Sequence, residues 1–303
     1  MTPMSKLCDA ADWFRPEVEE IIRVELREPA RFHRKQWEFA MIFFALRSLG
    51  LVQPDKTGLS LGGGTERLLY ALANRIKHLT VTDLYDSDTS WDCARTDDPD
   101  EFVKRQKPFE VDDAKYKALR MDMRSLDLSD RSFDFCYSSC AIEHIGNDTD
   151  FLQHFNEVAR VLRDGGVYVF TTEVSYLDQT IKDPNNYVFS PDDLARLLAV
   201  SNLEPVFDCD ASVTHHRANL PFPSNLAQIA TDDCEGIAHR SMENLPHITL
   251  LRGRFPFTSG LFILRKRSSL RTSRRLHFIG LEESSKFMQQ GVEEYGSMIA
   301  RSR

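Results

Sequence analysis

Between residues 58 and 83 the chain reads Gly58-Leu-Ser-Leu-Gly62-Gly63-Gly64-Thr65-Glu66, then a helical stretch, then a second apolar run ending on Asp83. A short apolar run, a glycine turn, a helix start and a strand-end carboxylate make up the first unit of an open α/β sheet. Glycines in such a turn let a ligand press against backbone where a side chain would clash. A carboxylate about 20 residues on can accept hydrogen bonds from two ribose hydroxyls. The unit predicts a nucleoside-bearing cofactor and leaves its identity open.

The rest of the chain repeats the alternation. Strands are expected at 57–61, 78–83, 117–121, 133–138, 166–172, 203–209 and 258–265, with helices at 65–76, 149–162 and 191–200. The last helix has Ser190 as N-cap, Pro191 in its first position and Asp193 in its first turn. The pattern predicts an α/β fold, a Rossmann-like seven-stranded, mostly parallel sheet with helices on both faces. Two further helices are expected ahead of it, at 14–27 and 31–49, with Pro16 suiting a first turn and Gly50 a stop. In the second, Phe32, Trp37, Ala40, Met41, Phe44 and Leu49 recur near the helical period, and Arg31, His33, Arg34 and Lys35 stand on another face. A helix over 281–300 is weakened by Gly291 and Gly296. Two connections, 84–116 and 210–257, exceed the usual length and leave the carboxyl ends of strands, where such sheets bind ligands. They are expected to wall a substrate pocket.

Composition narrows the class. With 303 residues, 42% of them apolar, the chain can bury a full core, and a net charge of −8 argues against a nucleic-acid binder. No apolar run reaches the length of a membrane span, and Met1–Lys6 lacks a secretory signal's apolar core, so a cytoplasmic location is expected. Six scattered cysteines without a C-x-x-C pair read as reduced thiols, and no metal site is expected. Near the end stand Arg265, Lys266, Arg267, Arg271, Arg274 and Arg275. They suit either peripheral contact with a membrane surface or acidic partner, or a solvated strand end.

A dinucleotide fingerprint counted from Gly62 requires a third glycine where Arg67 stands, which weakens an NAD-type oxidoreductase. Downstream come Met121-Asp122-Met123, Ser132-Phe-Asp-Phe-Cys-Tyr-Ser-Ser-Cys-Ala-Ile-Glu-His144, and Glu157-Val-Ala-Arg-Val-Leu-Arg-Asp-Gly-Gly166 running on to Glu173. In order and spacing over about 57–200, these resemble the motifs of class I S-adenosylmethionine (SAM) methyltransferases, particularly the type 11 group. A looser similarity, carried by Phe32-His-Arg-Lys-Gln-Trp-Glu38 and Ser138–His144, is to bacterial methyltransferases associated with polysaccharide or glycan modification. The resemblance implies a SAM-binding domain over 51–267, after an N-terminal helical cap (1–50) and before a basic, helical tail (268–303).

It also implies roles. Gly62, Gly63 and Gly64 would admit the cofactor, Asp83 would take the ribose hydroxyls and Leu84 would lie near adenine. Asp122 would accept from the adenine amino group, with the Met123 amide facing a ring nitrogen; Ser138 and Ser139 would line the cofactor floor. Glu143 and His144 follow, a pair placed for catalysis, His144 as general base or as an orienting residue. His33, Arg34 and Lys35 would reach the cofactor carboxylate or an anionic acceptor, and Tyr187 and His215 would contact substrate. The chain departs from the family pattern at its first acid, where Ser60 stands; Glu66 follows the glycines instead, to accept from the cofactor's ammonium or to stabilise a helix start. The expected activity is methyl transfer to a hydroxyl of a small molecule or glycan. A catalytically silent SAM-binding protein of a glycan-assembly complex is the alternative.

Overall fold

The computed structural model describes residues 5–86, 95–183, 186–221, 246–253, 255–267 and 274–301, with the backbone alone over 295–301. In chain order the strands are β1 (Lys6–Leu7), β2 (Thr57–Leu61), β3 (His78–Asp83), β4 (Tyr116–Arg120), β5 (Phe133–Ser139) and β6 (Leu162–Ser175). They continue as β7 (Ile181–Asp183), β8 (Asn186–Val188), β9 (Leu203–Pro205), β10 (Cys209–Asp210), β11 (Leu250–Arg252), β12 (Phe255–Lys266) and β13 (Phe278–Ile279). The helices are α1 (Pro16–Glu20), α2 (Arg34–Ser48), α3 (Arg67–Ala73), α4 (Pro99–Arg105), α5 (Asp148–Val161), α6 (Pro191–Val200) and α7 (Leu281–Arg301).

One sheet organises the chain in the order β13-β10-β1-β12-β6-β5-β2-β3-β4, with β9 and β11 also paired to β12. Strands β2 to β6 are parallel to their neighbours, and β12 returns antiparallel along β6. The sheet has eleven strands, not the expected seven. The additions are β1, β10, β11 and β13, each two or three residues long, too short to show an alternating pattern. Because β1 and β13 belong to the sheet, the terminal segments are not simply a cap and a tail.

Two apolar layers flank the sheet, as the period-2 alternation of strand side chains requires. On one side Val81, Phe135, Tyr137, Val169 and Ile263 pack under α1, α2 and α3. On the other, Leu59, Leu61, Cys136, Tyr168, Phe170 and Phe262 pack under α5 and α6. The predicted helix 14–27 is instead a 3-10 turn (Ala10–Phe14), α1, and a π-turn (Ile21–Glu25). Pro16 starts α1 because its missing N–H is one the first turn would leave unpaired anyway. Helix α2 is buried from Gln36 through Phe43, so its polar residues are held inside the protein.

The long connections take different places. Within 84–116, α4 lies on edge strand β4, where Asp100 accepts from the Ala118 amide, and Tyr70 donates to the Val103 carbonyl; this part covers the sheet's flank. Within 210–257, Asn219 anchors to Asp9 and to the Ala10 amide. Residues 87–94 and 222–245 of these connections, with Cys93, Cys234 and Arg271, lie outside the described residues. Cys8, Cys136, Cys140 and Cys209 are free thiols. Of the basic groups near the end, Arg265 pairs with Glu204, Arg274 with Asp208, and Arg267 donates to the Ala199 carbonyl. No helix among the described residues is long and apolar enough to cross a membrane.

Candidate active site

The chain runs from β2 outward to β3 and β4, and in the other direction from β5 to β6, so the strand order reverses between β2 and β5. In open α/β sheets the ligand crevice opens at the carboxyl ends of the strands at such a reversal. Here those ends carry Gly62 and Ser139. Gly62 adopts φ +66°, and a Cβ on it would come within 2.7 Å of the Ala141 Cβ, so the two turns meet backbone to side chain. Gly64 is also left-handed, at φ 45°.

Asp83 ends β3 beside this turn. Its carboxylate accepts from the Gly64 amide (2.9 Å) and the Leu84 amide (2.7 Å), which hold it against the glycines. Burial raises its pKa, against the lowering effect of those amides. Leu84 is 52% exposed on the outer side of the same corner.

Glu66 precedes α3, and its Oε2 is buried without a hydrogen-bond partner. Burial, reinforced by Glu38 and Asp83 and only partly offset by Lys35, pushes its pKa up to about 8. Lys35 Nζ lies 3.8 Å from Glu66 and 2.7 Å from Glu38, reaching in from α2. Glu38 is wholly buried and accepts from Ser139 Oγ (3.0 Å) and Ser259 Oγ (2.5 Å). Burial alone would raise Glu38; Lys35 and Arg34 outweigh it and hold the pKa at about 2. Next to this cluster, Arg34 pairs with Glu173 at 2.5 Å, and Glu173 also accepts from Asn186 Nδ2 at 3.0 Å. Cationic side chains that could have belonged to a solvated helix face thus lie over the carboxyl edge of the sheet.

His33 caps α2 by accepting from the Lys35 amide and stacks on His247 at 4.5 Å between ring centroids. Burial, then His247 and Arg31, lowers its pKa to about 4, so the ring is neutral at pH 7. Glu143 and His144 form a 3-10 turn (Ile142–His144) beyond β5. Glu143 is buried, accepts from Thr172 Oγ1 (2.9 Å) and is raised in pKa chiefly by burial; its Oε1 has no partner. His144 is half-buried beside it.

The remaining expected site residues are dispersed. Both Asp122 oxygens are taken by Arg124, the shortest contact being 2.6 Å, and that pair lowers the Asp122 pKa. Met123 is buried, its carbonyl accepting from His154 Nδ1 at 3.0 Å. Ser138 and Ser139 do not share a floor: Ser139 faces Glu38, whereas Ser138 turns to the other layer and meets Tyr168 Oη at 2.6 Å. Tyr187 packs edge-on to Phe151 at 5.1 Å on the β7–β8 hairpin. His215 is exposed and stacks on Phe287 of α7.

Several residues had no motif to announce them. Lys35 was expected near the cofactor carboxylate or an anionic acceptor, but its pairing with Glu38 was not, and His154, Tyr168 and Ser259 were not legible as site residues at all. Among the described residues no group of three or more His, Cys, Asp or Glu side chains is placed to hold a metal. Arg67, at the position of a dinucleotide motif's third glycine, pairs with Glu28 and stacks over Phe109.

A family model described as a methyltransferase domain matches residues 59–170. No curated protein matches the chain in sequence. Among solved structures, the geranyl diphosphate C-methyltransferase of Streptomyces coelicolor A3(2), crystallised with Mg2+, geranyl diphosphate and S-adenosyl-L-homocysteine, is 16% identical. That match covers 88% of this chain and 91% of the other, with a TM-score of 0.50. A geranyl diphosphate methyltransferase in complex with SAM is 18% identical over 87% of this chain and 97% of that one, with a TM-score of 0.49. The first likeness establishes a shared fold, and the domain match gives that fold its chemistry. The matched segment holds the glycine turn, Asp83, Asp122 and the Glu143–His144 turn, and the chain carries a methyltransferase domain there.

Proposed function

We propose that the protein transfers the methyl group of SAM to a hydroxyl oxygen of a small-molecule or sugar acceptor. The observation that carries the residue-level reading is Glu66, a buried carboxyl with an unpartnered oxygen, set in the glycine turn beside Asp83 at the sheet's reversal point. An orphaned buried acceptor is costly unless something fills it, and an ammonium group does so. In this reading Glu66 holds the cofactor's ammonium, Lys35 faces its carboxylate and Asp83 takes the ribose hydroxyls. Gly62, Gly63 and Gly64 leave room for its edge, and Leu84 and Met123 border the adenine. Asp122 reaches the adenine amino group only by sharing its oxygens with Arg124.

The sulfonium, when bound, supplies a methyl group already activated for attack. What the chain provides is alignment of the acceptor and exclusion of water, an effect on the order of 7–11 kcal/mol. In this reading His144 takes the proton, and Glu143, braced by Thr172, flanks it. A hydroxyl must lose its proton as it attacks, whereas a neutral amine need not, so a base beside the methyl-transfer edge favours oxygen. Arg34, His33 and Tyr187 border the acceptor side; His215 stacks instead on Phe287 of α7.

The test is a reaction of the purified protein with isotopically labelled SAM and a small-molecule extract, followed by mass spectrometry. Label on an oxygen of a polyol, phenol or sugar is the expected result. Label exclusively on nitrogen or carbon refutes the oxygen assignment.

A further inference from the structure

Behind the Asp122–Met123 segment a buried hydrogen-bonded chain crosses from β4's end to β5's end, and two of its side chains, His154 and Tyr168, were given no role by the sequence. Ser138 Oγ lies 2.6 Å from Tyr168 Oη, Tyr168 Oη 3.0 Å from His154 Nε2, and His154 Nδ1 3.0 Å from the Met123 carbonyl oxygen. Ser138, Tyr168 and His154 are each 0% exposed. Burial pushes the His154 pKa down to about 4, so at pH 7 the ring carries one proton.

That single proton fixes the direction of every bond. A carbonyl only accepts, so Nδ1 bears the hydrogen and donates to Met123. Nε2 must then accept, and only the Tyr168 hydroxyl can donate to it. Tyr168 in turn accepts from Ser138. Each group is satisfied once in a defined sense, and a fully satisfied buried network rigidifies what it touches. The rings resist reorientation: Tyr168 stacks on Phe170 at 5.0 Å and meets His154 edge-on at 5.6 Å. The outer side of the same segment is fixed separately, through Arg124, which binds Asp122, Asp150 and the Ile145 carbonyl.

We propose that His154 and Tyr168 are positioning residues that hold Met123 by its carbonyl and thereby set the protein's selectivity for the adenine base of its cofactor. The inference rests on the reading that Asp122 and Met123 border the adenine. It goes beyond that reading by assigning base selectivity to two residues that never touch the ligand.

Calorimetric titration with S-adenosylhomocysteine, and with its 6-oxo (inosyl) counterpart, tests this on the wild-type protein, Tyr168→Phe, His154→Leu and His154→Asn. Tyr168→Phe keeps the stacked ring and removes one oxygen, stranding His154 Nε2 and Ser138. Expected is roughly a tenfold loss of adenosyl affinity, the equivalent of one hydrogen bond, with a reduced adenosyl-over-inosyl preference and an unchanged KM for the methyl acceptor. His154→Asn, which keeps a donor for the Met123 carbonyl, should recover part of the preference that His154→Leu loses. A merely structural role predicts lower melting temperatures with an unaltered adenosyl-to-inosyl ratio. That ratio, unchanged in a folded Tyr168→Phe, overturns the proposal even where the His154 variants fail to fold. If the wild-type protein binds neither ligand, the adenine reading fails at its root, a result distinct from loss in the variants alone.

Discussion

Replacing Glu66 by glutamine should move stability and cofactor affinity in opposite directions. In the unliganded protein the Glu66 pKa stands at about 8, well above the ordinary 4.5, because burial beside Glu38 and Asp83 outweighs Lys35 at 3.8 Å. A group whose folded pKa is raised gives stability that is fully present below the unfolded pKa and is lost as pH rises through the folded one. Glu66 therefore burdens the free protein increasingly from pH 4.5 to about 8, and Glu66→Gln should raise the melting temperature of the unliganded protein at pH 8. Binding reverses the sign. If the cofactor's ammonium requires an ionised Glu66, association releases a proton below the free-state pKa, and affinity should rise about 50-fold between pH 6 and pH 8. It should level off above, where an α-amino group near ~8 begins to lose its own proton. Removing the charge-assisted bond costs about 1.5–3 kcal/mol, so Glu66→Gln should weaken SAM binding roughly 10- to 150-fold at pH 8 and flatten the pH profile. Titration calorimetry in two buffers of different ionisation enthalpy reads both affinity and proton release. Wild-type affinity that is flat from pH 6 to 8, or a variant that binds as well as wild type, would refute the assignment of Glu66 to the ammonium.

Three further substitutions probe other parts of the site. Asp83→Ala should lower SAM affinity by more than about 100-fold, since two charge-assisted bonds are lost; binding within tenfold of wild type removes Asp83 as the ribose acceptor. His144→Ala should leave the SAM dissociation constant within about twofold and reduce turnover 10²- to 10⁴-fold, roughly the range of a general base. Full turnover in that variant excludes the base role. Gly63→Ala places a Cβ 2.3 Å from Ser60 Oγ and 3.2 Å from Val81 Cγ1, an overpacking expected to cost about 1–3 kcal/mol. Adding Ser60→Gly should restore most of it, and simple additivity of the two in thermal denaturation would show that the contact is not the cause.

Much of this site could be read from the sequence because the elements that form it are locally self-sufficient. Residues 57–83 contain two strands, a helix and the turn between them, and β2 and β3 pair in parallel. The helix over 281–300, weakened in the sequence by Gly291 and Gly296, does form. Strands β1, β10 and β13 were not legible, since two residues have no period. Arg34 and Lys35 were expected near a cofactor carboxylate or an anionic acceptor, but their burial against Glu38 and Glu173 was not legible, for another reason. Arg34, Lys35 and Glu38 are polar residues on a helix, and local pattern cannot distinguish polar residues facing water from polar residues facing a buried polar partner. Only the placement of α2 over β5 and β12 decides it, and that placement involves Ser139 and Ser259, the latter more than 200 residues away. Asp122 shows the converse limit. The aspartate stood out, but Arg124, two residues on, claims both its oxygens.

Moving the acid from position 60 to position 66 has a steric cause. Ser60 is fully buried under the triple glycine, its Oγ so near Gly63 that even an alanine there would collide. An aspartate at 60 would have to displace that turn, and Gly63 is held in place by its amide's bond to the Thr82 carbonyl at 3.1 Å. A carboxylate serving the cofactor's amino-acid end must therefore enter from beyond the turn, and Glu66 is the first residue whose side chain does. A longer side chain at that point sits deeper beneath α2, which explains why it is buried against Lys35 and Glu38 rather than in water. In the proposed reading the glycine turn brings the acceptor for an ammonium, and the N-terminal helix brings both Lys35, which partly offsets the burial of that acceptor, and Glu38, which adds to its effect.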